Sequence, residues 1–139
     1  MKTIISHHLV LMNDLNHHRT LYGGRSANWL IETAYLTAVS LLPEETFVLA
    51  KINEICFFSP VHVGDVLRIE GKAIYAGRSS LIIYTSAWVK EKKVLEGFFT
   101  IVHVDNTGKP LPHGITIDSQ TGESRLLQNK AKEFLTQQH

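Results

Sequence analysis

A helix with apolar residues round most of its circumference leaves a small protein few ways to fold. The stretch 25–41 has that character: Ala27, Leu30, Ile31, Ala34, Leu36, Ala38 and Val39 spread well beyond a single stripe. Such a helix needs cover on most sides. Pro43, with Glu44 and Glu45, ends it. Residues 13–22 before it are a polar loop, and Gly23-Gly24 stands where the helix opens. Paired glycines let a ligand approach the backbone, and the first N–H groups of a helix have no partner inside it. Those donors, at the positive end of the helix dipole, suit an oxygen carrying negative charge. Asn16 precedes the glycines, and Glu32 follows about two turns into the helix. Oxyanion donors, an orienting amide and a carboxylate are the parts of a hydrolytic site. The simpler reading also stands, that the glycines only permit the helix to start.

Cover for this helix must come from the rest of the chain, which reads as strands. Residues 3–12 are rich in apolar and β-branched side chains, and 47–58 form a second run closed by Ser59-Pro60. Within 66–76, Leu67, Ile69, Ala73 and Tyr75 alternate with Arg68, Glu70 and Lys72, and Ile74 breaks the pattern. Gly77-Arg78-Ser79 turns the chain into 80–90, and Glu91-Lys92-Lys93 turns it into 94–105. Alternation joined by short turns indicates an antiparallel sheet with one solvated face. The fold class is therefore α+β, an antiparallel sheet wrapped around one long central helix. Residues 106–114 read as loop and 115–122 as irregular. An amphipathic C-terminal helix over 123–137 carries Leu126, Leu127, Ala131, Phe134 and Leu135. The 139 residues make a single domain, 1–139, with its core at about 3–113 and a tail and helix over 114–139.

Composition excludes some functions. Lys and Arg number 14 against 13 Asp and Glu, so no charge imbalance points to nucleic acid or a membrane. Cys56 is the one cysteine, which rules out an internal disulfide and fits a reducing compartment. The N-terminal residues lack a signal-peptide pattern, and no run approaches the roughly 18 apolar residues of a membrane span. A cytoplasmic protein is expected. His7 and His8 on a strand point to opposite faces, and His17-His18 has no cysteine or spaced histidine beside it. No metal site is expected. Trp29 and Trp88 read as packing residues.

Four blocks follow one another from Asn16 to Pro110. They are Asn16-x-x-x-Thr20-x-Tyr22-Gly23-Gly24, then Phe58-Ser59-Pro60-Val61-x-Val63-Gly64-Asp65, then Gly77-Arg78-Ser79-Ser80, and last Val104-Asp105-x-x-Gly108-Lys109-Pro110. In residues, order and rough spacing the chain resembles the acyl-CoA hydrolase branch of the hotdog-fold thioesterases. That resemblance implies a hotdog fold and hydrolysis of an acyl-CoA thioester to free acid and CoA. No cofactor is implied, since CoA belongs to the substrate. In such enzymes a helix carboxylate activates water or attacks the thioester, and a helix N-terminal amide holds the oxyanion. An Asn from the facing subunit orients water or substrate. By resemblance the catalytic residues are Asn16, Gly23, Gly24 and Glu32. The implied substrate contacts are Ser59, Gly77, Arg78, Ser79 and Ser80, with Arg78 facing CoA phosphates. A dimer joined sheet edge to sheet edge is also implied, and in some relatives a hexamer of three dimers. Pairing off an exposed edge strand makes physical sense in itself.

The chain departs from the pattern at two places. Counting from the double glycine, the family's catalytic carboxylate usually falls at Ile31, and Glu32 is rotated from it by about 100°. Three readings are open. An irregular loop or first turn brings Glu32 into the site, or its extra methylene reaches from the offset position. Otherwise the carboxylate is lost, and Glu32 is a salt-bridged or interface residue. Arg19 stands where the family usually has Gly, as a solvated side chain or a phosphate contact. The alternative function is a catalytically impaired hotdog protein that binds CoA esters or a protein partner. A hydratase on the same fold would need an Asp/His constellation that the sequence does not show.

Overall fold

The computed structural model describes residues 3–43, 46–117 and 122–136. Strand β1 (Ile4–Leu9) leads through a 3-10 turn, Met12–Asp14, and the polar loop into α1 (Gly23–Leu41). Strands β2 (Phe47–Phe57), β3 (Val66–Ala76), β4 (Ser80–Val89) and β5 (Lys92–His103) follow, then α2 (Gly122–Thr136). Every strand pair is antiparallel, in the order β1-β3-β4-β5-β2. Strands β1 and β2 are therefore the two edges.

Helix α1 lies across one face of this sheet. Leu30, Ala34 and Ala38, one turn apart, are fully buried in a cluster with Leu67, Ile69, Leu81, Ile83, Leu95 and Phe99. Burying a leucine such as Leu30 contributes about 2 kcal/mol. Close approach depends on two glycines. A Cβ on Gly71 would lie within 2.5 Å of Thr37 Oγ1, and one on Gly97 would lie 2.6 Å from the Phe99 ring. Thr33 and Thr37 are polar yet buried. Their hydroxyls donate to the carbonyls of Trp29 at 3.0 Å and Thr33 at 2.7 Å, so the helix meets the sheet with small side chains and no stranded donor.

Several expectations need correction. The cover on α1 is one-sided: Asn28, Glu32, Tyr35 and Leu36 are exposed, because a single sheet curves round only one side of a helix. α1 begins at Gly23 rather than 25, since the Tyr22 carbonyl accepts the N–H groups of Arg25 and Ser26 and closes the first turn on the glycines. β1 stops at Leu9, and the Asp14 carboxylate then takes the Leu11 N–H at 2.9 Å to start the 3-10 turn. β5 runs two residues earlier than the expected 94–105 at both ends. Tyr75 is not on the face of Leu67 and Ile69. Register shifts between Ala73 and Tyr75, and the inserted Ile74 throws both Ile74 and Tyr75 onto the opposite face. There Ile74, Ile82, Tyr84 and Phe98 meet Ala131 and Phe134 of α2, so the outer face expected to be solvated is partly covered. Residues 115–117 have no regular structure, and Glu44, Glu45 and Gln137, placed at expected helix ends, lie outside the described residues.

Candidate functional site

The loop before α1 is built on Asn16. Its N–H donates to the Thr20 carbonyl at 2.8 Å, and its own carbonyl accepts from Arg19 N–H at 3.1 Å. The side-chain oxygen accepts the N–H groups of His18 at 2.9 Å and Thr20 at 3.2 Å, while Nδ2 donates to Thr20 Oγ1 at 3.0 Å. An amide with this many local partners has one orientation. Arg19 closes the loop at φ 64°, the left-handed region that glycine adopts without penalty. Leu21 N–H donates to Val61 O at 2.7 Å and Tyr22 N–H to Asp14 O at 2.8 Å, which anchor the loop at the mouth of the helix. Asp14, itself buried, pairs with Arg25 Nε at 3.5 Å.

Beyond Tyr22 the first helical N–H groups stand open. Among the described residues, neither Gly23 nor Gly24 finds an acceptor for its N–H. A Cβ on Gly24 would fall 2.6 Å from the Tyr22 ring, so that ring lies over Gly24, while Gly23 faces the ring of Phe57. Gly23 borders a groove of about 380 Å³. Its polar wall is Asn16, Thr20, Gly23, Ser26 and Ser59, and its floor is Leu21, Val61 and Leu95. Phe57 and Phe58, 59% and 51% exposed, flank the opening. Ser26 donates to the Gly23 carbonyl at 2.9 Å and so stiffens the first turn. The groove offers an apolar slot beside amide and hydroxyl donors, and no residue lining it is ionisable at neutral pH.

Asn16, Gly23 and Ser59 thus come together, with Gly24 adjacent. Glu32 does not join them. It is exposed, has no hydrogen-bond or ion-pair partner among the described residues, and lies nine residues beyond Gly23, about 13 Å along the helix axis. Ile31 is partly buried against the core. The Gly77–Ser80 turn is at the other end of the sheet. β2 pairs Phe57 with Leu95 at the groove end and Phe47 with His103 at the far end, and His103 N–H donates to Ser79 O at 2.8 Å. The 11 residues of β2, at most about 33 Å from end to end, put the two sets of residues at opposite ends of the sheet.

Two buried histidines secure that turn, and sequence reading gave neither this role. His113 N–H donates to Arg78 O at 3.1 Å, its Nε2 donates to Ser80 O at 2.9 Å, and its Nδ1 accepts Ile115 N–H at 2.9 Å. Those partners fix a neutral tautomer with the proton on Nε2. Arg78 keeps its side chain exposed. The only hint was their position beside the last sequence block.

A larger hollow, about 570 Å³, lies between the outer face and α2. Its charged groups are paired. Lys93 Nζ sits 3.0 Å from Glu96 and 3.2 Å from the Tyr84 hydroxyl, which donates to Glu96 at 2.8 Å, and Lys130 lies 3.7 Å from Glu54. Burial pushes the Tyr84 phenol up to about 12. This network holds the sheet face and offers few open valences to a ligand.

Residues 18–96 match the model of the thioesterase superfamily. An uncharacterized acyl-CoA thioester hydrolase from Buchnera aphidicola is 31% identical over 120 residues, spanning 78% of this chain and 86% of that protein. Among solved structures, an apo hexameric acyl-CoA thioesterase is similar with a TM-score of 0.86 and 32% identity, over 96% of this chain and 88% of the other. A hexameric thioesterase from Yersinia pestis is similar at TM-score 0.74 and 27% identity, over 80% and 94% of the two chains. Among the described residues no group of three His, Cys, Asp or Glu side chains is placed to hold a metal, and no helix is long and apolar enough to cross a membrane.

Proposed function

Because this chain belongs to the acyl-CoA hydrolase branch of the thioesterase superfamily, we propose that it hydrolyses an acyl-CoA thioester in a site completed by a second copy. The observation that carries the reading is the division of labour across one protomer. The groove supplies donors and an apolar slot without an ionisable group, while Glu32, on the open face of α1, has no partner among the described residues. At about 13 Å from Gly23 along the axis, Glu32 is out of reach of its own groove, so the carboxylate comes from the partner. Exposed Val48, Leu49, Ile52 and Phe57 make β2 an apolar edge that a second β2 would cover. Antiparallel pairing about a two-fold axis sets the Phe47 end of one copy beside the Phe57 end of the other. The partner's Gly77–Ser80 turn, with exposed Arg78, then faces this groove, where CoA phosphates emerge.

In the reaction, water adds to the thioester carbonyl as Glu32 takes its proton. Gly23 N–H, with Gly24 beside it, holds the developing oxyanion, and Asn16 orients water or substrate. Collapse breaks the carbon–sulfur bond, Glu32 returns its proton to the departing sulfur, and CoA thiol and the free acid leave. Losing one preorganised oxyanion donor typically costs 10²–10³-fold in kcat, roughly 3–4 kcal/mol. The chemistry requires no cofactor. Cytoplasmic residence fits the single free Cys56.

A second reading rests on Ile31, which packs against the core at the position where the family's carboxylate usually falls. On that reading the chain binds CoA esters and does not turn them over. Thiol release from acetyl- to palmitoyl-CoA by wild type, Asn16→Ala and Glu32→Ala separates the two. Hydrolysis predicts turnover in the wild type and a loss of 10²-fold or more in both variants. Thermal stabilisation by CoA esters without any thiol release would establish the binder instead.

A further inference from the structure

The turn that carries Arg78 is held by more bonds than a hairpin needs. Gly77 N–H donates to Ser80 O at 2.9 Å, which by itself closes a two-residue loop on Arg78 and Ser79. The remaining carbonyls of a surface loop usually face water. Here Arg78 O accepts His113 N–H at 3.1 Å, Ser79 O accepts His103 N–H at 2.8 Å, and Ser80 O also accepts His113 Nε2 at 2.9 Å. His113 reaches this place because the chain doubles back after β5. The Asp105 carboxylate accepts the N–H groups of Thr107 at 2.8 Å and Lys109 at 3.0 Å, and Val104 bridges to Pro110. Leu111 N–H then donates to His103 O at 2.9 Å. Gly114 follows His113 at φ 70°, a left-handed step that glycine takes without penalty, and Ile115 N–H turns back onto His113 Nδ1 at 2.9 Å. The His113 ring is buried and both its nitrogens are engaged. An imidazole presents an acceptor and a donor on opposite sides of one flat ring, so the residue type is matched to the place.

We propose that His113 is a positioning residue for CoA: it fixes the backbone from which Arg78 meets a CoA phosphate. The proposal rests on the part given to Arg78 in the proposed function, and it concerns binding rather than bond breaking. Arg78 is exposed and has no hydrogen-bond or ion-pair partner among the described residues, so its guanidinium is placed by the turn beneath it. Arginine grips phosphate best through two parallel N–H bonds, and such a fork needs a fixed base. His113 supplies that base at both ends of the loop, through its N–H to Arg78 O and its ring to Ser80 O. It acts in the copy that supplies Arg78, the partner of the copy whose groove holds the thioester. Losing the ring bond therefore weakens the hold on CoA and leaves the reacting groups in place.

Calorimetric titration of the full chain with CoA, run with thiol release on the same samples, tests this. His113→Asn keeps an acceptor for Ile115 N–H and loses the donor to Ser80, whereas His113→Gln carries an amide donor out to the Nε2 position. The Asn variant is expected to bind CoA about tenfold more weakly, with circular dichroism unchanged. Its KM for acyl-CoA should rise in step while kcat stays within about twofold of wild type. The Gln variant should recover most of the loss. In an Arg78→Ala background the Asn substitution should add nothing, because the side chain it places is gone. If His113→Asn fails to fold, His113→Phe, which fills the ring's space without a donor, decides. Weaker binding in Arg78→Ala but wild-type binding in the His113 variant would overturn the proposal alone, as would two losses that add in full. An Arg78→Ala chain that binds CoA like the wild type would defeat the phosphate contact and the proposal with it. Coupled losses of CoA binding with no thiol release from any of these proteins would uphold the proposal and defeat the hydrolase reading.

Discussion

Arg19 holds a backbone conformation that a side chain makes costly, φ 64°, in the loop that carries Asn16. An L-residue pays about 1 kcal/mol or more there, partly returned in the unfolded chain. Arg19→Gly should therefore raise stability by about 0.5–1 kcal/mol, read from denaturant midpoints, and leave the Asn16 hydrogen bonds intact. The departure at residue 19 is visible in the sequence, whereas the positive φ that gives it meaning is set by the Asn16–Thr20 bonds. Asp105 makes the opposite kind of residue-scale case. Hydrogen bonds from the Thr107 hydroxyl, and from the N–H groups of Lys109 and Thr107, hold its carboxyl below the ordinary value of 3.8. A carboxyl depressed in the folded state stabilises above its unfolded value, and that contribution disappears as pH falls through the folded one. Melting temperatures of wild type and Asp105→Asn should therefore differ near neutrality and converge in acid below the ordinary carboxylate range. A constant gap down to the most acid pH would mean the turn draws nothing from the charge.

The elements were largely readable, for physical reasons that also explain the misses. Alternation in 66–76 and 80–90 reports burial directly, and so β3 and β4 emerge with nearly their expected ends. Ile74 shows up as a break in that pattern, but whether a break means a bulge depends on the partner strand, which one sequence does not display. The one-sided burial of α1 is hidden in the sequence because its apolar wrap serves two surfaces, its own sheet and an open face bearing Tyr35 and Leu36. Nothing in the residue spacing separates those two demands. Where α1 meets the sheet, Gly71 sets the gap. A methyl there would fall within 2.5 Å of Thr37 Oγ1 and 3.4 Å from the Thr33 carbonyl, inside a packed layer that cannot yield. Gly71→Ala should cost about 1–3 kcal/mol and lower Tm by several degrees in calorimetry. Gly24→Ala should cost far less, since the Tyr22 ring it would strike is exposed and free to swing aside.

At the scale of the molecule, the candidate site is legible as residues and illegible as a place. The sequence blocks name Asn16, Gly23, Ser59 and Arg78 together, yet in one protomer Arg78 lies at the opposite end of β2 from the other three. A partner's β2 edge would reunite them, and a sequence carries no mark of which copy supplies which block. Charge placed on that edge should undo the assembly: Val48→Lys/Ile52→Lys should run as a monomer by sedimentation and lose thiol release, with its circular dichroism retained. The most direct measurement is subunit complementation. Asn16→Ala and Glu32→Ala chains, each inactive alone, are co-expressed under separate tags and the mixed dimers assayed for thiol release. If each site takes Asn16 from one copy and Glu32 from the other, each mixed dimer rebuilds one intact site of two and regains about half of wild-type activity, or about a quarter for the unsorted statistical mixture. Mixed dimers as silent as their parents, or a Glu32→Ala protein as active as wild type, would contradict a hydrolytic site shared in this way.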